Sequence, residues 1–97
     1  MKVVWSAEAA EQLREITGYV SERNPQAAKR IAAGLLIRSR LLAQPPQTGR
    51  RLPEFPDADL RELLERPYRL IYRITESRIE IVALKHYRQL LPGDLEK

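Results

Sequence analysis

Pro67-Tyr68-Arg69-Leu70-Ile71-Tyr72-Arg73-Ile74, then Thr75-Glu76-Ser77, then Arg78-Ile79-Glu80-Ile81-Val82-Ala83-Leu84, carries the clearest strand pattern of the chain. Tyr68, Leu70, Tyr72 and Ile74 alternate with Arg69, Ile71 and Arg73, the two-residue period of a strand with unlike faces. After the turn residues, Ile79, Ile81 and Ala83 repeat the period, so the segment predicts a β-hairpin with one face on a core. Residues 60–65 precede it as a third antiparallel strand, although the Leu63-Leu64 pair interrupts the alternation there. Further upstream, residues 44–59 hold Pro45, Pro46, Gly49, Pro53 and Pro56, which predicts a stiff connecting loop rather than a strand or a helix.

The first half of the chain has a different period. Ser6 is placed to cap a helix and Glu8 to meet its dipole, after which Ala9, Leu13, Ile16, Tyr19 and Val20 recur at three- and four-residue spacing. That predicts an amphipathic helix over about residues 7–22. Asn24-Pro25 starts a second, because Asn accepts the N-cap bonds and Pro has no amide proton to lose in the first turn. Ala27, Ala28, Ile31, Ala32, Leu35, Leu36, Leu42 and Ala43 form its apolar stripe, ending before Pro45-Pro46. A linker this short forces an antiparallel helical hairpin, with alanines and Gly34 at the facing positions for close approach. Residues 2–5 read as an opening strand.

The predicted fold class is therefore α+β: an N-terminal strand, an antiparallel two-helix hairpin, then a three-stranded antiparallel sheet. At 97 residues a single domain over 1–97 is expected, with a partly ordered tail over 88–97. The 43 % hydrophobic and 31 % charged composition lies within the range of folded domains rather than disordered chains. With no cysteine and one histidine, His86, thiolate chemistry is excluded, and no metal and no cofactor are expected. The N-terminal residues lack the apolar stretch of a leader, and no apolar run approaches a membrane span, so a cytoplasmic protein with no membrane partner is expected.

A net charge of +4 is less informative than its distribution. Between Glu22 and Glu54 there is no acidic residue, while Arg23, Lys29, Arg30, Arg38, Arg40, Arg50 and Arg51 lie inside that interval. Such a field attracts an acidic protein segment or a phosphate backbone; equally, it serves as a solvated face. A second set of donors falls on the predicted sheet: Arg61, Arg66, Arg69 and Arg73, with Lys85, His86, Tyr87 and Arg88 closing the last strand. Hairpin pairing brings residues 86–88 near residues 67–69. Fixed arginines with a neighbouring His or Tyr are the parts of a metal-free ribonuclease, since they hold phosphate and move a proton. The plainer reading pairs the same arginines with Glu62, Glu65 and Glu80 across strands. Trp5 and Phe55 lack a basic surround and read as core or loop anchors.

Trp5-Ser6-x-x-Ala9 running through Leu13, Ile16 and Tyr19-Val20, then Asn24-Pro25-x-Ala27-Ala28, Leu42-x-x-Pro45 with Gly49, Arg61-Glu62-Leu63, and the segment from Pro67 to Arg73, in this order, resemble the ParE branch of the RelE/ParE toxins. The resemblance covers nearly the whole chain. It implies the toxin of a bacterial type II toxin-antitoxin pair, forming a hetero-oligomeric complex with a ParD-like antitoxin whose acidic C-terminal segment wraps it. The ParE branch implies DNA gyrase as the target, blocked replication and no catalytic residues. On that reading Arg30, Arg38, Arg50, Arg51, Arg61, Arg69 and Arg73 bind antitoxin or target. The RelE branch implies instead a ribosome-dependent endoribonuclease acting on messenger RNA, with Arg61, Arg69, His86, Tyr87 and Arg88 as its catalytic set. A non-toxic remnant that only binds its antitoxin is the third alternative.

Overall fold

The computed structural model describes residues 1–86 of the chain, and the expected partly ordered tail lies outside the described residues. In order, the elements are β1 (Lys2–Trp5), α1 (Ala7–Ser21), α2 (Pro25–Leu41), a 3-10 turn (Pro46–Thr48), β2 (Arg50–Arg51), β3 (Arg61–Glu65), β4 (Tyr68–Ile74) and β5 (Arg78–His86). Both helices begin where the capping chemistry places them. Ser6 Oγ accepts from the Ala9 amide and Asn24 Oδ1 from the Ala27 amide, each at 3.0 Å, and Pro25 opens α2.

The sheet has five strands in the order β1-β5-β4-β3-β2, with β1 parallel to β5 and the other pairs antiparallel. The expected three-stranded sheet is its centre. β1 joins across the helical hairpin, a pairing that follows from tertiary placement rather than from its own four residues. At the other edge, β2 and the 3-10 turn correct the expectation that residues 44–59 form a stiff loop without strand or helix. No proline lies between Gln47 and Leu52, so the amides of that short window remain available to a ladder.

The helices cover one face, where Ala9, Leu35 and Leu42 meet Leu63, Leu70, Tyr72, Ile79, Ile81 and Leu84. On the opposite face the segment between β2 and β3 lies across the sheet as a strap, and Leu52, Phe55 and Leu60 bury Ile71 and Ala83. β4 is thus covered on both sides. Register shifts at Ile71/Tyr72, so Ile71 pairs with Ala83 while Tyr72 pairs with Ile81. This bulge turns Ala83 to the strap face, away from Ile79 and Ile81, with which strict alternation groups it. In β3 the alternation survives the double leucine: Leu63 is buried and Leu64 points outward.

Two packing expectations are corrected. Tyr19 is 61 % exposed rather than core, its ring lying 4.3 Å beneath the Arg23 guanidinium. Gly34 faces β3 instead of α1, since a side-chain carbon there would lie 3.6 Å from Glu65 Oε2. Trp5 is an anchor as expected, its indole N–H donating to Ser39 Oγ at 3.2 Å. Among the described residues no helix is long and apolar enough to cross a membrane.

Candidate macromolecular interface

Arg69 occupies an outward-facing position of β4, where the strap covers it to 5 % exposure. A buried guanidinium requires compensating charge, and it has two partners. Its Nε donates to Glu62 Oε2 at 2.9 Å and its Nη2 reaches Glu54 Oε2 at 2.8 Å. Glu62, itself 2 % exposed, also accepts from Arg50 Nε on β2 at 2.9 Å. The cluster therefore sets two cations against two carboxylates. Burial acts to lower the Arg69 pKa, but the hydrogen bonds and charges of Glu62 and Glu54 outweigh it and raise the pKa above the ordinary arginine value. Glu54 brings the strap into this network, and its Oε1 is buried without a hydrogen-bond partner.

Arg61 takes part in a different network. Its Nη1 donates to the Gly49 carbonyl at 2.8 Å, while the Gly49 amide donates to the Tyr72 hydroxyl at 2.8 Å. That hydroxyl donates in turn to the Pro46 carbonyl at 2.7 Å. A side chain at Gly49 has no room, because its first carbon would sit 2.7 Å from the Tyr72 ring. Burial pushes the Tyr72 hydroxyl pKa up, opposed by the Gly49 amide and by Arg61.

The remaining candidates are dispersed. Arg73 Nη1 lies 3.9 Å from Glu80 Oε1 across the hairpin, and Arg51 Nη1 lies 3.7 Å from Asp59 Oδ1 at the sheet edge. Arg30 is exposed on α2 beside a cleft lined by Ile31, Gly34, Glu65, Arg66 and Tyr68. Arg38 is half-buried on the same helix, and its Nε is without a hydrogen-bond partner. His86 is in register with Tyr68 through the shift at Ile71/Tyr72, the rings standing edge to face at 6.2 Å. Tyr87 and Arg88 lie outside the described residues.

The structure thus brings Arg50 and Arg69 together and leaves Arg30 and Arg38 on the helical side. Arg61 belongs to the loop network. The plainer reading of the sheet arginines holds in part: Glu62 does pair with one across strands, and so does Glu80. Sequence reading missed Glu54, which comes from an irregular segment with no period to place it. It also missed Ile37 and Leu41, 55 % and 57 % exposed on α2, although Ile37 falls outside the apolar stripe of that helix. Among the described residues no group of three or more His, Cys, Asp or Glu is placed to hold a metal ion. Chemically, the arrangement offers loose cations on α2 and a neutralised arginine on the sheet.

A family model described as "ParE toxin of type II toxin-antitoxin system, parDE" matches residues 3–91. Among curated relatives, the Toxin RelE2 of Caulobacter vibrioides is 33 % identical over 90 residues, covering 92 % of this chain and 98 % of that protein. A putative toxin, Y4kP, of Sinorhizobium fredii is 30 % identical over 93 residues, covering 94 % of this chain and 93 % of that one. A solved structure described as a chromosomal ParDE toxin-antitoxin system from P. aeruginosa superimposes with a TM-score of 0.76 at 26 % identity, over 89 % of this chain and 95 % of that chain.

Proposed function

This chain belongs to the ParE toxin family of the parDE type II toxin-antitoxin systems, and we propose that it inhibits DNA gyrase and blocks replication. It acts in the cytoplasm until a ParD-like antitoxin neutralises it through an acidic C-terminal segment.

The observation that carries the gyrase reading is the state of Arg69. A ribonuclease must present positive charge to a scissile phosphate as negative charge develops there. Arg69 instead lies beneath the strap, bound to Glu62 and Glu54, and a phosphate reaching it would have to displace both carboxylates. That arrangement supports a toxin that works by binding. The antitoxin is favoured by the exposed cations Lys29, Arg30 and Arg40, which enter none of the ion pairs among the described residues.

Adding the purified chain to purified gyrase and relaxed plasmid is the test. Supercoiling stops and cleaved DNA accumulates if the proposal is right; undisturbed supercoiling at micromolar protein rejects it. The second reading, a metal-free ribosome-dependent ribonuclease, draws on the His86–Tyr68 pairing at the sheet end. It requires cleavage of ribosome-bound message that disappears in His86→Ala. Unimpaired bacterial growth on expression of the chain alone would point to a non-toxic, antitoxin-binding remnant.

A further inference from the structure

We propose that β1 is the pairing edge of a symmetric homodimer, in which β1 of a second copy of this chain runs antiparallel beside it and extends the sheet. The strand lies at one edge of the sheet and is paired with β5 alone. Its polarity is set by Ser6, whose amide donates to the Ile81 carbonyl of β5 at 2.9 Å. Alternate residues of a strand share a side, so the amides and carbonyls of Lys2 and Val4 also face β5, while those of Val3 and Trp5 point outward. Among the described residues no backbone group bonds to that outer side. Free strand edges are usually blunted by charge, proline or a bulge. β2, at the opposite edge, is blunted in this way, since its two residues are exposed arginines between Pro46 and Pro53. β1 has neither proline nor bulge, and its one cation, Lys2, stands at its end.

Self-pairing satisfies this edge in one register. With a two-fold axis at Val4, Val3 of each copy exchanges backbone bonds with Trp5 of the other, so every outward amide and carbonyl of β1 is paired. Val4 then faces Val4 across the axis as a β-branched pair, and Lys2 meets Ser6 instead of another cation. An axis at Val3 would draw in Met1, whose amino group is held by the Ala43 carbonyl at 3.4 Å; an axis at Trp5 would run the partner strand into α1, which starts at Ala7. Joining two copies through β2 sets arginine against arginine, so one edge alone is open and two-fold pairing closes at a dimer instead of growing into a filament. Backbone bonds alone accept any strand, and it is the match of register and charge with itself that selects a second copy. The inference concerns assembly of the chain and is independent of its target.

Trp5 is the chain's one tryptophan and there is no cysteine, which makes both residue types usable as probes. Sedimentation of the full chain should show a monomer to dimer equilibrium at sub-millimolar concentration, with Trp5 emission moving to shorter wavelength as the dimer fills. Under mild oxidation Val4→Cys should give a disulfide-linked dimer, because directly opposed residues of a non-hydrogen-bonded pair have Cα atoms within disulfide range. Lys2→Cys, about 14 Å from its symmetry mate, should cross-link on the order of ten-fold more slowly. Val4→Lys sets like charges across the axis and should weaken dimerisation on the order of ten-fold or more, and an equimolar mixture with Val4→Glu should restore it. A chain that stays monomeric at sub-millimolar concentration overturns the inference. So does a dimer that Val4→Lys leaves intact, or one that Val4→Glu fails to restore. Equal cross-linking of the two cysteine variants overturns it as well, and this comparison decides the matter where Val4→Lys fails to fold. The gyrase assay reads the toxin proposal separately in every case.

Discussion

Truncating Arg69 would leave the Glu62 carboxylate, 2 % exposed, with Arg50 as its remaining ion-pair partner among the described residues. Losing one partner of a buried pair is costly because the other stays desolvated. Arg69→Ala should therefore lower unfolding free energy by about 3 kcal/mol, whereas Arg30→Ala, on an exposed site, should stay within about 0.5 kcal/mol. Urea denaturation of both variants checks this, and equal midpoints would show that the cluster contributes nothing. Tyr72 offers a second measurement. Tyr72→Phe leaves the Gly49 amide and Pro46 carbonyl without their partner and should cost about 1–3 kcal/mol near neutral pH. Its pH dependence has a definite sign. The folded hydroxyl has a raised pKa, so above 10.0 the unfolded chain releases its proton first and the folded state binds more. The stability tied to Tyr72 is complete below 10.0 and erodes as pH rises beyond it. Denaturation midpoints of the parent and Tyr72→Phe should accordingly converge as pH climbs past about 10. Tyr68, also raised by burial, titrates in both proteins and drops out of the difference.

Helices, strands and strap differ in how they are held. α2 depends on the Asn24 cap, an exposed hydrogen bond to the Ala27 amide, and Asn24→Ala should cost about 1 kcal/mol in a thermal melt. A change within about 0.2 kcal/mol would mean that water replaces the cap without loss. The strap is attached mainly by side chains, through Leu52, Phe55 and Leu60, the Glu54–Arg69 pair and the Arg51 bond to the Ala58 carbonyl. Phe55→Ala should cost about 3 kcal/mol and release exchange protection in residues 52–60 before the rest of the sheet opens. Simultaneous loss of protection across the whole sheet would show instead that strap and sheet unfold as one unit. How an element is held also governs how far the sequence discloses it. α1, α2, β4 and β5 are long enough for a period to appear, and their caps and turn residues mark the ends. β2 spans only two residues, too few for any period, and exists because Arg50 and Arg51 come opposite Glu62 and Arg61.

Across the whole molecule, charge is sorted by place. Acidic residues of β3, β5 and the strap answer the sheet arginines, while the cations at the middle and end of α2 enter no ion pair among the described residues. Steered association with an acidic partner should therefore be strongly salt-dependent. Raising ionic strength from about 0.05 M to about 0.5 M should slow antitoxin association on the order of ten-fold, with a smaller change in dissociation. Stopped-flow mixing measures it directly, and a salt-independent association rate would remove electrostatics from recognition.

The α+β class, both helix starts and the central hairpin are legible in the chain's own order of residues, because caps, prolines and apolar periods act over a few residues and need no distant partner. Hairpin pairing about the turn at residues 75–77 likewise predicts residues 86–88 near residues 67–69, whereas the pairing of His86 with Tyr68 itself depends on the bulge. The remaining features depend on contacts between distant parts of the chain. β1 pairs with β5 from 76 residues away in the Lys2–Arg78 register, and the bulge beside Tyr72 reverses the face of Ala83. Arg69 looks like a surface cation in its own strand; it is buried because Glu54 and the strap arrive from elsewhere in the chain. Local period fixes which side of a strand a residue takes, but what covers that side depends on elements that meet only in the folded protein.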